Sequence, residues 1–298
     1  MNVVVTGATG GLGSWLVESL AQSDHAVTAI DLSRPSAGRE NVAFYACDLT
    51  DQGQTWELIQ SADPEVVVHC AAIPAMGITS GTETFQNNVE STYNTLVGAG
   101  TVGADVIWMS SESIYGWVFA EDTWLPDYLP VDEAHPIRPE DPYGTSKLVG
   151  ENIAEMVVRK YDVSVTSIRP SWINYPGRYD TREIRQSFEP ETAGPSGNFW
   201  SYVDVRDVVS AIEAAMRADI AGHEPFLVAA RENYLDVSTA KLMEMVFGRL
   251  PEQCEVNGDE SALSTERIQT ALDWQPSYSW QDAETTPDPE SEPSFMST

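Results

Sequence analysis

Asn2-Val3-Val4-Val5-Thr6-Gly7-Ala8-Thr9-Gly10-Gly11-Leu12-Gly13 is the stretch that decides the fold. A short β-branched apolar run ends in glycine, further glycines follow at 10, 11 and 13, and an amphipathic stretch runs on from Leu12 to Leu20. That order reads as strand, tight turn and helix. At such a turn the N–H groups and dipole of the opening helix converge, and Gly lets the backbone come close enough to cradle a pyrophosphate. A Gly-rich turn alone says little, because turns use Gly for conformational reasons. Context adds to it: the second apolar run ends at Asp31, 18 residues after Gly13. A carboxylate there can accept both hydrogen bonds from an adenine-ribose diol and would repel a 2′-phosphate. NAD is therefore favoured over NADP, although Arg34 close by could accommodate the extra phosphate.

The alternation continues outward from this unit. Residues 26–30, 42–47, 66–70 and 106–109 read as strands, and 51–60 and 84–99 as helices; a helix over 143–161 precedes a strand over 163–168. Nearly continuous apolar strands between helices predict an α/β fold, a doubly wound parallel sheet of the Rossmann type covered on both faces. Residues 117–142, rich in Pro, Asp and aromatics, read as a long loop of the kind that carries function. After Pro170 the pattern weakens. We expect an NAD-binding core over 1–170, a smaller C-terminal substrate-side subdomain over 171–280 interleaved with it, and a disordered tail over 281–298, where apolar periodicity is lost.

Two further clusters carry chemistry. Tyr143 and Lys147 are spaced by four at the start of a predicted helix, so phenol and ammonium share one face. A nearby cation would lower the phenol pKa and make it a general base for a substrate hydroxyl. Ser110-Ser111-Glu112-Ser113-Ile114-Tyr115-Gly116 closes the fifth strand, at the carboxyl end of the sheet where ligands bind in this architecture.

Together these residues resemble the extended short-chain dehydrogenase/reductase family, the NAD-dependent epimerases, dehydratases and dehydrogenases acting on sugars. The resemblance runs to about residue 280 through TGATGGLG (6–13), CDLTD (47–51), HCAA (69–72), NVEST (88–92), SSESIYG (110–116), PYGTSK (142–147), RPSWINYPG (169–177), YVDVRDVV (202–209) and LDWQP (272–276). It implies that Gly7, Thr9, Gly10, Gly11, Leu12, Gly13 and Asp31 hold the cofactor. It places Asp48 and Leu49 against the adenine, Ala71 and Ala72 behind the cofactor, and Asn88 in support. It makes Ser111, Tyr143 and Lys147 catalytic: Tyr143 as base, Ser111 steadying the substrate oxygen, Lys147 tuning the phenol and holding the nicotinamide ribose. A homodimer packed through the helices near 84–99 and 143–161 is also implied.

The sequence departs from that pattern on the substrate side. Trp172 stands where nucleotide-sugar enzymes of the family carry Asn, and only 24 residues separate Gly177 from Tyr202, leaving little with which to grip a nucleoside diphosphate. The shortened segment resembles that of uronate and aldose dehydrogenases. Glu112 matches an acid position of the dehydratases, but Ser113 replaces its carboxylate neighbour. Glu112, Ser113, Trp172 and Arg178 are the candidate substrate contacts, Arg178 because a guanidinium suits a carboxylate or phosphate. The expected activity is hydride removal from a sugar or sugar acid. The alternatives are nucleotide-sugar epimerisation and a non-catalytic dinucleotide-binding protein.

Composition bounds these readings. The 298 residues hold 46 acids against 16 Lys and Arg, a net charge of −30. Such a surface repels polyanions and argues against nucleic-acid binding and docking on anionic membranes. Only five of the acids lie beyond Trp274, so the folded body itself is acidic. Three cysteines, Cys47, Cys70 and Cys254, show no CxxC spacing, so neither a disulfide framework nor a metal site is expected. The chain opens directly on a strand pattern and has no run of membrane-spanning length, which gives the expectation of a soluble, cytoplasmic protein. Lysine occurs only at 147, 160 and 241, and an acidic, Lys-poor surface is the adaptation expected in a high-salt cytoplasm, where screening relieves self-repulsion. The melting temperature is accordingly expected to rise as KCl goes from low to molar concentration; a flat thermal-unfolding series would refute the halophilic reading.

Overall fold

The computed structural model describes residues 1–189, 194–283 and 293–295. Its sheet is built from β1 (Asn2–Thr6), β2 (Ala26–Asp31), β3 (Val42–Ala46), β4 (Val66–His69), β5 (Asp105–Met109), β7 (Val165–Pro170) and β10 (His223–Val228). All pairings are parallel, in the order β10-β7-β5-β4-β1-β2-β3. The helices between them are α1 (Gly11–Gln22), α2 (Gln52–Ala62), α3 (Gly81–Val102), α4 (Pro142–Tyr161), α5 (Thr181–Gln186) and α6 (Val205–Arg217); α7 (Thr239–Phe247), α8 (Glu266–Leu272) and α9 (Trp280–Ala283) follow. Two-residue strands β6 (Tyr128–Leu129), β8 (Ile173–Asn174), β9 (Val203–Asp204) and β11 (Gln253–Cys254) form two small accessory sheets. The doubly wound fold read from the alternation is the fold observed.

The continuous apolar strands follow from burial on both faces. Val3 and Val5 face a core with Leu16 and Leu20 of α1 and Val208 and Ile212 of α6. Val4 points the other way, into a core with Leu96 of α3 and Ala154 and Val157 of α4. Each such fully buried aliphatic side chain contributes about 1.5–3 kcal/mol. Helix α4 lies against the sheet at Gly150, where a Cβ would fall 2.4 Å from the Trp108 ring. Its start is fixed by Asp141, whose Oδ1 accepts from the Gly144 amide at 2.8 Å, with Pro142 in the first turn. Among the described residues no helix is long and apolar enough to cross a membrane.

A second core gathers Trp117, Leu129 and Val131 of the long loop with Phe199, Trp200, Tyr202, Tyr234 and Leu242. Most of the 117–142 loop is therefore packing material: β6 pairs with β11, and Val131 bridges to Leu263. The stretch after Pro170 contributes β10 and α6 to the main sheet and its covering layer. Of the segment 281–298, expected to be disordered, residues 281–283 and 293–295 are described. Residues 281–283 continue α9, and Phe295 is buried, its ring 5.1 Å from that of Phe44 on β3. Ser294 Oγ donates to Glu18 of α1 at 2.8 Å. A single phenylalanine in a Pro- and Glu-rich segment has no periodicity to reveal it, yet it fills a site between strand and helix. Residues 284–292 and 296–298 lie outside the described set.

One buried polar network ties the carboxyl ends of β5 and β7 to α4. Arg169, at the end of β7, grips Glu151 of α4 through Nε and Nη2 at 2.8 and 2.6 Å; Ser110 Oγ donates to Glu151 Oε1 at 2.8 Å, and Arg169 Nη1 to the Tyr115 hydroxyl at 2.9 Å. Arg169 is 2% and Glu151 7% exposed. Glu151→Ala would strand a buried guanidinium, and chemical denaturation should show a loss of about 3–5 kcal/mol. A change within experimental error would show that the network does not hold these elements together.

Candidate active site

Strands β1 and β4 lie side by side, with Thr6 level with His69, and the chain leaves them for helices on opposite faces of the sheet. A crevice opens where the two connections part. The turn after β1 presses into it. Gly7 has φ +67°, and a Cβ there would lie 2.6 Å from the Ala71 amide nitrogen; a Cβ on Gly13 would lie 2.0 Å from the Gly7 carbonyl oxygen. Helix α1 starts at Gly10 with no side-chain cap and no acid in its first turn, so its N-terminal partial positive charge is left for a ligand.

The crevice is a cavity of about 660 Å³. Gly7, Gly10, Gly11, Leu12, Gly13, Asp31, Asp48, Leu49, Ala71, Ala72, Tyr143 and Lys147 all line it. Two other residues expected at the cofactor stand behind the wall. The Thr9 amide donates to Asp31 Oδ2 at 2.8 Å, while Leu32 N donates to Oδ1 at 2.7 Å, so backbone groups orient that carboxylate. Asn88 clasps both backbone groups of Ile73, accepting at 2.8 Å and donating at 3.0 Å, and so fixes the loop after β4. Arg34 is not in the wall; its guanidinium lies over the Tyr45 ring, 5.7 Å from the centroid. A turn with no room for a Cβ, an uncapped helix end and an oriented carboxylate fit a dinucleotide along the whole crevice.

At the inner end Ser111, Tyr143 and Lys147 come together, all buried. The Ser111 hydroxyl is a hydrogen-bond partner of the phenol and contacts Ser113 Oγ at 3.0 Å. The electrostatics correct the sequence expectation for Tyr143. Burial pushes its phenol up to about 12, against a smaller lowering by Ser111. Lys147, whose Nζ donates to the Met109 carbonyl at 2.7 Å and lies 5.4 Å from the Tyr143 ring centroid, does not outweigh that burial. Burial in turn pushes the Lys147 ammonium down to about 8.

Beyond Tyr143 lies a second cavity of about 560 Å³, which shares Tyr143, Ile173 and Tyr175 with the first. Ser111, Glu112, Ser113 and Trp172 line it. The Glu112 carboxyl accepts from Ser171 Oγ at 3.0 Å and from the Trp172 amide, and burial raises its pKa well above the usual carboxylate value. Arg178 is not part of this cavity. The turn closed by Arg178 N on the Tyr175 carbonyl, through Gly177 at φ +76°, carries it outward; its side chain is 78% exposed, beside Asp180. Tyr175 was missed by the sequence reading although it lies inside the RPSWINYPG stretch. It lines both cavities, and its hydroxyl sits where a Cβ of Gly11 would be, 2.4 Å away. Phe119, Asn198 and Tyr234, also unanticipated, complete the far wall.

Comparison with known proteins follows this geometry. The model of the NAD dependent epimerase/dehydratase family matches residues 3–229. A putative UDP-glucose 4-epimerase of Methanocaldococcus jannaschii is 32% identical over 186 residues, 60% of this chain and 58% of that protein, so the match spans little more than half of the relative's length. The L-arabinose 1-dehydrogenase (NAD(P)(+)) of Haloferax volcanii is 28% identical over 195 residues, 63% of this chain and 72% of that one. Among solved structures, MoeE5 in complex with UDP-glucuronic acid and NAD has a TM-score of 0.72 at 23% identity, covering 96% of this chain and 97% of its own. That is a likeness of fold.

Asp31→Ala should weaken NAD about tenfold, the value of lost hydrogen bonds to a charged group, and weaken NADP less. Equal losses in calorimetric titrations would show that Asp31 does not choose between the two.

Proposed function

Because this chain belongs to the NAD dependent epimerase/dehydratase family, we propose that it is an NAD-dependent dehydrogenase acting on a hydroxyl-bearing carbon of a free sugar or sugar acid. The observation that carries the reading is the meeting of two cavities at the Tyr143 phenol. A long crevice suited to a dinucleotide and a smaller chamber share Tyr143, with Ser111 on one side and Lys147 on the other.

The residues from Gly7 to Gly13 would hold the pyrophosphate through backbone N–H groups, Asp31 the adenine ribose, and Lys147 the nicotinamide ribose. Bound there, NAD+ would supply the two-electron acceptor for the hydride of the substrate carbon. The protein's part is to manage the proton. Tyr143 Oη removes it from the substrate hydroxyl as a general base, and Ser111 Oγ steadies the same oxygen, so that a ketone or lactone results. The ammonium of Lys147 lies in the same buried space and opposes the cost of forming a phenolate there.

Nucleotide-sugar epimerisation is the rival that the methanogen relative favours. Against it stands the substrate side: Trp172 occupies the Asn position, and the 24 residues between Gly177 and Tyr202 form, among the described residues, only the short α5 with turns around it. The pairing of two copies through α3 and α4, and residence in a cytoplasm, belong to the same proposal.

Tyr143→Phe should abolish NAD+ reduction while NAD affinity stays within about twofold; turnover surviving the change would remove Tyr143 as the base. Burial holds the phenol at about 12, and the reactive form is the deprotonated one. The rate of sugar oxidation should therefore climb with pH in the wild type up to about 8, where Lys147 begins to lose the charge that favours the phenolate. A rate that falls across that range would argue against a phenolate base.

A further inference from the structure

The second cavity says more about the substrate than the shared chemistry does. Its polar wall is made of Ser111, Glu112, Ser171, Ser196, Asn198 and Tyr234, that is, hydroxyls, one amide and one carboxyl. Trp172 and Phe119 add aromatic faces, against which the C–H face of a sugar ring packs. No Lys, Arg or His lines it among the described residues, and residues 190–193 read Pro-Glu-Thr-Ala. The nearby guanidiniums are engaged elsewhere. Arg178 is 78% exposed beside Asp180, with its guanidinium 5.8 Å from the Tyr175 ring centroid, and Arg185, off the wall, lies 3.7 Å from the Trp280 ring centroid and donates to the Tyr234 carbonyl at 3.1 Å.

The segment that closes the chamber is held in place at a cost. Phe199 and Trp200 take φ of +49° and +61°, unfavourable for bulky residues. Both are buried in the second core. Asn198 accepts from Ser196 Oγ at 2.5 Å and from the Trp200 amide at 3.2 Å. Strain of this kind persists where packing over-determines it, and here it fixes uncharged polar groups on the chamber wall.

Taking a carboxylate or diphosphate into such a space would bury it without a cation, beside a carboxyl group, which is strongly unfavourable. The hydroxyls of an uncharged sugar find neutral donors and acceptors on the wall and lose nothing by leaving water. We propose that this chamber is a neutral-sugar site, which takes a free, unphosphorylated aldose and discriminates against uronates and nucleotide-linked sugars. The inference rests on the dehydrogenase reading above and narrows it.

The test compares pairs that differ only at C6, D-galactose with D-galacturonate and D-glucose with D-glucuronate, together with L-arabinose, D-xylose and UDP-galactose. NAD+ reduction is followed at fixed high KCl, with conversion of UDP-galactose to UDP-glucose measured in parallel. At least one neutral aldose should be oxidised with a kcat/KM about a hundredfold above that of any uronate or UDP-sugar. A uronate oxidised as well as the best aldose would overturn the neutral-sugar site and leave the dehydrogenase reading intact. UDP-sugar interconversion, or no reduction of NAD+ by any compound, would overturn both. Ile184, on the cavity wall and 39% exposed, is a place to add a cation without disturbing a core. Ile184→Arg should shift the galacturonate-to-galactose ratio of kcat/KM upward about tenfold. An unchanged ratio would show that the sugar is not held in this chamber.

Discussion

Everything at the candidate site depends on how closely the backbone at Gly7 approaches the backbone at Ala71. A side-chain carbon at Gly7 or Gly13 would collide with main-chain atoms, so the turn after β1 and the loop after β4 touch through backbone alone. That contact brings the uncapped end of α1 to the wall of the crevice. It also sets the loop at Ala71–Ile73 in a position that Asn88 then locks from α3. Helix α4 packs against α3 and carries Tyr143 and Lys147 to the inner end of the same crevice. The reacting groups are thus placed by a chain of backbone contacts and helix packing that begins with two glycines.

Charge is distributed to suit this arrangement. A molecule with a net charge of −30 offers an anionic ligand little attraction at long range, so the crevice relies on short-range dipoles at the helix end. Its buried ammonium, Lys147, has a carbonyl as its hydrogen-bond partner where a carboxylate would have cancelled it. Desolvation pushes phenol and ammonium toward their neutral forms together. Any process that leaves negative charge on Tyr143 is therefore opposed by burial and helped by the cation one helical turn away.

The parts legible in sequence are those that repeat with a short period or occupy a fixed offset from a strand end. Buried strands show as apolar runs because both faces of the sheet are covered, and the turn at Gly7–Gly13, Asp31 and the Tyr143/Lys147 pair lie at set distances from those runs. The near wall of the chamber beyond Tyr143 was legible in Ser111, Glu112, Ser113 and Trp172, but its far wall was not, because Phe119, Asn198 and Tyr234 come from three separate loops. Arg178 was misread because chemistry suggested a partner while a single turn at Gly177 decided its direction. The phenol was expected low and stands high because burial, invisible in local sequence, outweighs proximity to a lysine.

Phe295 closes the account of the first core. Val3 and Val5 share that core with residues of β10, α6 and α8 and with Phe295. The contacts of β1 therefore join segments that lie far apart in the sequence. A topology of such high contact order folds late and leaves apolar strands exposed while it waits. The core that places the turn at Gly7–Gly13 is complete only once segments far along the chain have packed onto β1.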